Sequence, residues 1–390
     1  MKALFCHSDY EPKPGYVLDE YEKTTGKIRA GNMVWRNPRL ELTDIPEPTK
    51  IGPRDVKLHV KACGICGSDM HFIESTDDGY MLYPGHVRLN IVLGHEFCGE
   101  IVEVGSDVHE FKVGDLVVPE EMVWCGECIP CRNGYPNQCE HLEELGVTCN
   151  GGFEPFCVVP ARVCWKIDSL RKIFGDKVYQ AGACIEPSSV AYRSLFPIGG
   201  GIKPGAFCTV HGGGPIGLLA TGLLKAAGAA KVIVFEISEG RREVAQKMGA
   251  DVVLDPTKYA SARDQANEIL SLTDGFGADL QLEAAGVPRK TMPVILESTA
   301  IGGTVIQTAY AAGETPMYLP AFQNKAIKLV GSMGHSGNGT FQNVIRLMAS
   351  GKFDPTPIIS ATFPLSRGME AFDLSFKRIG AKVMISTMDA

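Results

Sequence analysis

The stretch "CGECIPCRNGYPNQC" sets Cys125, Cys128, Cys131 and Cys139 in C-x2-C-x2-C-x7-C spacing. Four thiolates on one short loop can close a tetrahedron around zinc, and structural zinc sites use that shell with no open position. Gly126, Pro130, Gly134 and Pro136 keep the loop out of helix and strand. An iron–sulfur cluster also takes four thiolates, and the first three have cluster-like spacing, but the longer gap to Cys139 favours zinc. A second group, "KACGICGSDMHF" at 61–72, puts Cys63, Cys66, Asp69 and His71 within nine positions. Its C-x-x-C pair fits either a redox dithiol or part of a metal site. His95 and Glu96 follow in "VLGHEF", and Glu186 comes much later in "ACIEPSSVAY". A thiolate, an imidazole and carboxylates make a mixed ligand set that can leave a position for water or substrate. Singly, His95 reads as a buried histidine and Glu186 as a helix-start carboxylate beside Pro187. Together they read as an open metal site.

A third group is "VHGGGPIG", which fits G-x-G-x-x-G as Gly212, Gly214 and Gly217, with Pro215 and Ile216 between the last two. The string alone is weak. Here an apolar strand precedes it, a helix pattern follows it, and Glu236 ends the next strand. In that context the glycines allow a tight turn and close backbone approach to a pyrophosphate, which the helix N-terminus attracts. Glu236 would accept from ribose hydroxyls and repel a 2′-phosphate, which favours NAD over NADP. Arg241 and Arg242 lie close by without occupying that deciding position.

The elements that must position these groups divide in two. From residue 40 to about 165 the text is strand-like and turn-rich, as in "DVKLHVKAC" and "GEIVEVGSDVHEFKVGDLVVPE", and predicts a barrel-like all-β region. From about 190 onward, continuous apolar strands alternate with helices, the pattern of a parallel sheet covered on both faces. Residues 9–35 are polar and carry no clear period, and are expected to form a surface excursion. At 390 residues the chain is long enough for two domains and a core that needs no disulfides. A net charge of −7 with no basic run gives no footprint for nucleic acid or anionic membrane. No apolar run is long enough to cross a bilayer and the N-terminus lacks a signal-peptide core, so a cytoplasmic location is expected. Thirteen cysteines in a reducing compartment fit metal binding and core packing better than bridges. Cys6, Cys63, Cys98, Cys149, Cys157, Cys164, Cys184 and Cys208 are expected to be small buried hydrophobes.

The motifs "GICGSDMH", "GHE", the four-Cys stretch, "IEP" and "GGGPIG" come in an order and spacing that resembles the zinc-dependent medium-chain alcohol and polyol dehydrogenases over nearly the whole chain. The resemblance implies an α/β architecture: a GroES-like β-barrel catalytic domain at 1–190 carrying the structural zinc lobe, a Rossmann doubly wound NAD-binding domain at 191–332, and a return segment at 333–390. It implies one catalytic zinc, in the cleft between the domains, held by Cys66, His95 and Glu96. Glu186 sits where the family binds or approaches that metal, with Cys184 a rival, and Cys63 is a bystander. Ser68 matches the family's proton-relay hydroxyl, His71 the imidazole that passes the proton outward, and Asp69 a carboxylate orienting His95. Arg241 matches a basic residue near the adenosine. The implied activity is hydride transfer from a secondary alcohol of a polyol or cyclitol, of inositol or inosose type, to NAD. "DGYMLYPG" and "GHSGNGTF", with His335, carry the likeness to cyclitol-acting members. A threonine- or sorbitol-type dehydrogenase would share every zinc and NAD residue. A zinc-free quinone-reductase type would lack the cysteine and histidine sets, and a non-catalytic NAD-binding sensor would have no use for a Ser68–His71 pair. The family's usual state is a dimer or tetramer.

Overall fold

A computed structural model describes residues 1–311 and 313–388 as two compact units. The first comprises Met1–Glu186, Ile359–Arg378 and the chain from Lys382 onward. The second comprises Pro187–Ile358 with Ile379–Ala381. The return to the first unit therefore comes at Ile359, where the sequence reading set it at 333. The helix Thr340–Ala349 buries Phe341, Val344, Ile345 and Met348 and stays with the second unit.

In the first unit the strand Asp55–Gly64 is central. It pairs antiparallel with Glu96–Val104 along nearly its whole length, with Phe156–Pro160 and with Lys382–Ser386. Leu116–Pro119, Cys164–Lys166 and Ile359–Pro364 complete a seven-stranded sheet. A smaller sheet joins Trp35–Asp44, Lys2–Tyr10 and Ile91–Val92. The alternation of "VKLHVKAC" places Val56, Leu58 and Val60 in a core shared with Phe72, Phe97, Phe153 and Phe372. The pairing Gly64↔Glu96 and Gly64↔Met384 brings the "GHE" stretch and the chain's last strand to the end of Asp55–Gly64. The helix Gly67–Ile73 starts just beyond that end. Residues 9–35 contain the short helix Glu20–Thr25, started by a reciprocal capping box between Asp19 and Glu22.

The second unit is a six-stranded parallel sheet. Its strands are β1 (Phe207–His211), β2 (Lys231–Phe235), β3 (Val252–Leu254), β4 (Ala278–Glu283), β5 (Thr299–Gln307) and β6 (Lys328–Gly331). Their order across the sheet is 3-2-1-4-5-6. That is the doubly wound dinucleotide-binding arrangement, with its crevice where the order reverses beside β1. No helix among the described residues is long and apolar enough to cross a membrane.

Candidate metal centres and coenzyme loop

All thirteen cysteines are free thiols. Seven of the eight expected to pack as hydrophobes are buried, and Cys149 is half-buried. The Sγ atoms of Cys125, Cys128, Cys131 and Cys139 lie within 4.8 Å of one another. Backbone N–H groups of Glu127 and Cys128 donate to Cys125 Sγ at 3.4 Å, and those of Cys125 and His141 donate to Cys139 Sγ at 3.3 Å. The two donors on Cys125 pull its thiol down to about 6, toward the thiolate a metal needs. Met122 and Leu142 pack behind the loop. Four thiols converging with N–H groups aimed at sulfur fit a closed zinc shell.

The second cluster joins Cys66, His95 and Glu96, whose ligand atoms also lie within 4.8 Å of one another. Asp69 serves two of the three. Its Oδ2 accepts from the Cys66 N–H at 2.9 Å, and its Oδ1 lies 3.5 Å from His95 Nδ1. Ser68 Oγ is 3.4 Å from His95 Nε2. Burial works against protonating His95, but the Asp69 carboxylate and the Cys66 sulfur outweigh it and hold the imidazole well above its usual range. An anionic pocket that keeps a proton on a buried histidine is one that a divalent cation fits.

Glu96 carries a feature the sequence did not reveal. Both of its carboxylate oxygens take hydrogen bonds from Lys382 Nζ, at 2.6 Å for Oε1, and Lys382 also donates to the Ile65 carbonyl at 3.0 Å. Both side chains are about 1% exposed. Gly64 makes room for the pair, since a Cβ there would lie 2.2 Å from Glu96 Oε2. Glu186, at the start of the helix Ile185–Arg193, does not join the cluster of Cys66, His95 and Glu96. Its carboxyl lies within 4.8 Å of that of Glu121, another buried acid absent from the sequence reading. Burial first, and then Glu96, push Glu186 well above the carboxylate range; burial and Glu186 do the same to Glu121. Two buried acids side by side again fit a neighbouring cation. Cys184 is buried outside the ligand cluster, and Cys63 is fully buried with its thiol pushed far up by burial.

Ser68 and His71, three apart on the helix Gly67–Ile73, lie on one face of it. Burial lowers His71 below the usual imidazole range, so its neutral, proton-accepting form prevails.

In the second unit the glycines answer to different needs. Gly212 has φ +105°, and a Cβ there would lie 2.7 Å from the Ala285 nitrogen. A Cβ at Gly217 would lie 1.9 Å from the Gly212 carbonyl oxygen, so the helix Pro215–Ala226 can sit close to β1 only with glycine there. Nothing stands within 4 Å of a Cβ at Gly214, which caps that helix and leaves open space over its first N–H groups. Pro215 and Ile216 form the first turn. Glu236 follows β2 and accepts from the N–H groups of Gly213, at 2.6 Å, and Ser238, at 2.7 Å. Arg241 donates from Nε to the Gly380 carbonyl at 3.0 Å. The loop fits a phosphate, with an acid fixed at its rim.

Comparison with known proteins agrees. Residues 52–169 match the alcohol dehydrogenase GroES-like domain, and residues 215–350 match the zinc-binding dehydrogenase domain. The chain is 43% identical to scyllo-inosose 3-dehydrogenase of Thermotoga maritima over 93% of each chain. Its structure resembles that of a Thermotoga maritima protein assigned as an alcohol dehydrogenase, with TM-score 0.94, 41% identity and 99% and 100% of the two chains covered. It also resembles an Escherichia coli CFT073 alcohol dehydrogenase solved with NADH, with TM-score 0.77, 25% identity and 99% of each chain covered. With both domain models, the two cysteine-bearing clusters and the glycine cradle in one chain, this protein belongs to the zinc-dependent medium-chain alcohol and polyol dehydrogenase family.

Proposed function

We propose that the protein is an NAD-dependent oxidoreductase that takes hydride from a secondary alcohol of a polyol or cyclitol, of the inositol or inosose type. The observation that carries this reading is the cluster of half-buried Cys66 with buried His95 and Glu96, a mixed set that needs no fourth protein ligand. The scyllo-inosose relative supports the substrate class.

A zinc ion bound there would supply Lewis acidity to the alcohol oxygen, and bound NAD would supply the hydride acceptor. Cys66, His95 and Glu96 would hold the metal, and Asp69 fixes the first two. Lys382 holds Glu96 in place and offsets its charge. Ser68 Oγ would accept the alcohol proton as it gives up its own through the coenzyme's ribose hydroxyl towards His71, which passes it outward and needs the neutral imidazole that burial favours. Glu186, paired with Glu121, stands by as an approaching carboxylate. Cys125, Cys128, Cys131 and Cys139 would hold the second zinc, which has a structural role. Gly212, Gly214, Pro215, Ile216 and Gly217 receive the pyrophosphate, Glu236 the ribose, and Arg241 braces the adenosine side. A dimer or tetramer in the cytoplasm completes the proposal, and thirteen unbridged cysteines suit that reducing compartment.

The test is NADH formation at zinc saturation across inositols, inososes, sorbitol, xylitol and L-threonine. Turnover concentrated on a cyclitol supports the reading. Turnover confined to threonine overturns the substrate class.

A further inference from the structure

Residues 9–35 and the loop at 83–88 supply none of the candidate ligands or coenzyme-loop residues named above, yet they are fastened to each other at several points. Ile28 and Val87 exchange both backbone hydrogen bonds at 2.9 Å, and the Gly31 N–H donates to the Gly85 carbonyl at 3.0 Å. His86 is held at both ring nitrogens, Nδ1 at 2.8 Å from Glu144 Oε2 and Nε2 at 3.1 Å from Tyr21 Oη. The excursion is itself organised by the buried Glu22, which accepts from Tyr16 Oη at 2.6 Å and from the Arg29 N–H at 2.9 Å. Gly31 has no room for a side chain, since a Cβ would lie 2.4 Å from Val87 Cγ1 and 3.0 Å from the Tyr83 carbonyl oxygen.

What this frame presents is Tyr83. Its N–H donates to the His71 carbonyl at 3.1 Å, and its ring meets Phe72 edge-on at 4.6 Å. A Cβ on Gly85 would lie 2.9 Å from its hydroxyl, so the phenol rests where only glycine leaves space. The ring is thus tied to the helix that begins just after Cys66 and carries Ser68 and His71. The phenol feels the charges of Glu144, His95, Cys66 and Glu121, which sets it in their neighbourhood beside the helix that bears the relay pair. Burial, reinforced by Glu144, raises the phenol well above its usual range, and it stays a neutral donor. Among the described residues no protein group takes up its hydroxyl hydrogen.

We propose that Tyr83 is a specificity-determining residue whose Oη donates to a substrate hydroxyl other than the one oxidised, and that residues 9–35 with the loop at 83–88 are the frame that holds it. This rests on the polyol reading above. A site built to pair with a substrate hydroxyl discriminates strongly against analogues that lack it, and it does so best when the pairing group is rigidly held.

The experiment compares kcat/KM of the zinc-loaded enzyme on its best polyol or cyclitol with kcat/KM on cyclohexanol, which offers only the reacting hydroxyl. Tyr83→Phe is expected to lower that ratio about tenfold or more, chiefly through KM for the hydroxyl-rich substrate, with wild-type zinc content. His86→Ala, which keeps the Tyr83 phenol but loosens the loop that holds it, is expected to lower the ratio in the same direction by a smaller factor. A Tyr83→Phe ratio within twofold of wild type overturns the proposal, as does an equal fall in kcat on both substrates. A wild-type ratio near one, seen before any variant is made, sinks the polyol reading and the proposal with it.

Discussion

The two cysteine-bearing centres are built in opposite ways. The lobe of Cys125, Cys128, Cys131 and Cys139 is local: its ligands lie within fifteen residues and its sulfurs are satisfied by N–H groups of the same loop. The centre of Cys66, His95 and Glu96 is assembled from separate elements and is completed by Lys382, 286 residues beyond Glu96. The lobe organises its own stretch of chain, so removing its metal should cost structure. The second centre is organised by the sheet around it, so removing its metal should cost chemistry and spare the fold.

The largest expected effect tests the chemical side. Cys66→Ala should lower NADH formation by about a thousandfold or more, the several kcal/mol a Lewis acid contributes. Zinc analysis should show the lobe's metal retained and thermal unfolding close to wild type. Cys139→Ser tests the structural side. Losing a structural metal is among the few changes that cost about 4 kcal/mol or more, so calorimetry should show an early transition. Activity should fall only as folded protein is lost. If Cys66→Ala unfolded the chain and Cys139→Ser did not, the contrast would be reversed.

Lys382→Met sharpens the comparison within the open centre. It strands a buried carboxylate, and urea unfolding should register a loss of roughly 3–5 kcal/mol. Pairing it with Glu96→Gln should restore part of that loss, because the penalty belongs to the unpaired charge.

The last effect, which appears only at high pH, concerns Glu154, a 3%-exposed carboxyl in neither centre. It lines a cavity of about 540 Å³ with Cys149, Asn150 and Cys157, and burial raises it to about 8. Its raised value means stability fully present below the ordinary carboxyl range and lost as pH climbs through about 8. Glu154→Gln should therefore leave unfolding at pH 3.5 nearly unchanged and stabilise the protein at pH 8.5 by on the order of 4 kcal/mol. Equal shifts at both pH values would remove the carboxyl's ionisation as the cause.

The lobe could be read directly because its chemistry is compressed into one spacing. Gly212, Gly214 and Gly217 were readable for the same reason, with a strand, a helix and Glu236 in register around them. The open centre was readable only in part. Cys66, His95 and Glu96 carry local signatures, but Lys382 sits in "AKVMIS", where only the pairing of Lys382–Ser386 with Asp55–Gly64 gives it meaning. Glu121 was hidden for a similar reason, in a short acidic pair between strands. Residues 9–35 did hold a local signal. Asp19 and Glu22 have capping-box spacing, but the helix they start is only six residues long and shows no hydrophobic period.

The most direct test of two centres with different tasks is limited chelation of the purified enzyme, following zinc content, circular dichroism and cyclitol-dependent NADH formation together. The account predicts that activity disappears with the first zinc removed, while the circular dichroism stays native and a second zinc remains bound. Returning zinc should then restore turnover. Activity that survives loss of the first zinc, or that falls only when the fold collapses, would contradict it.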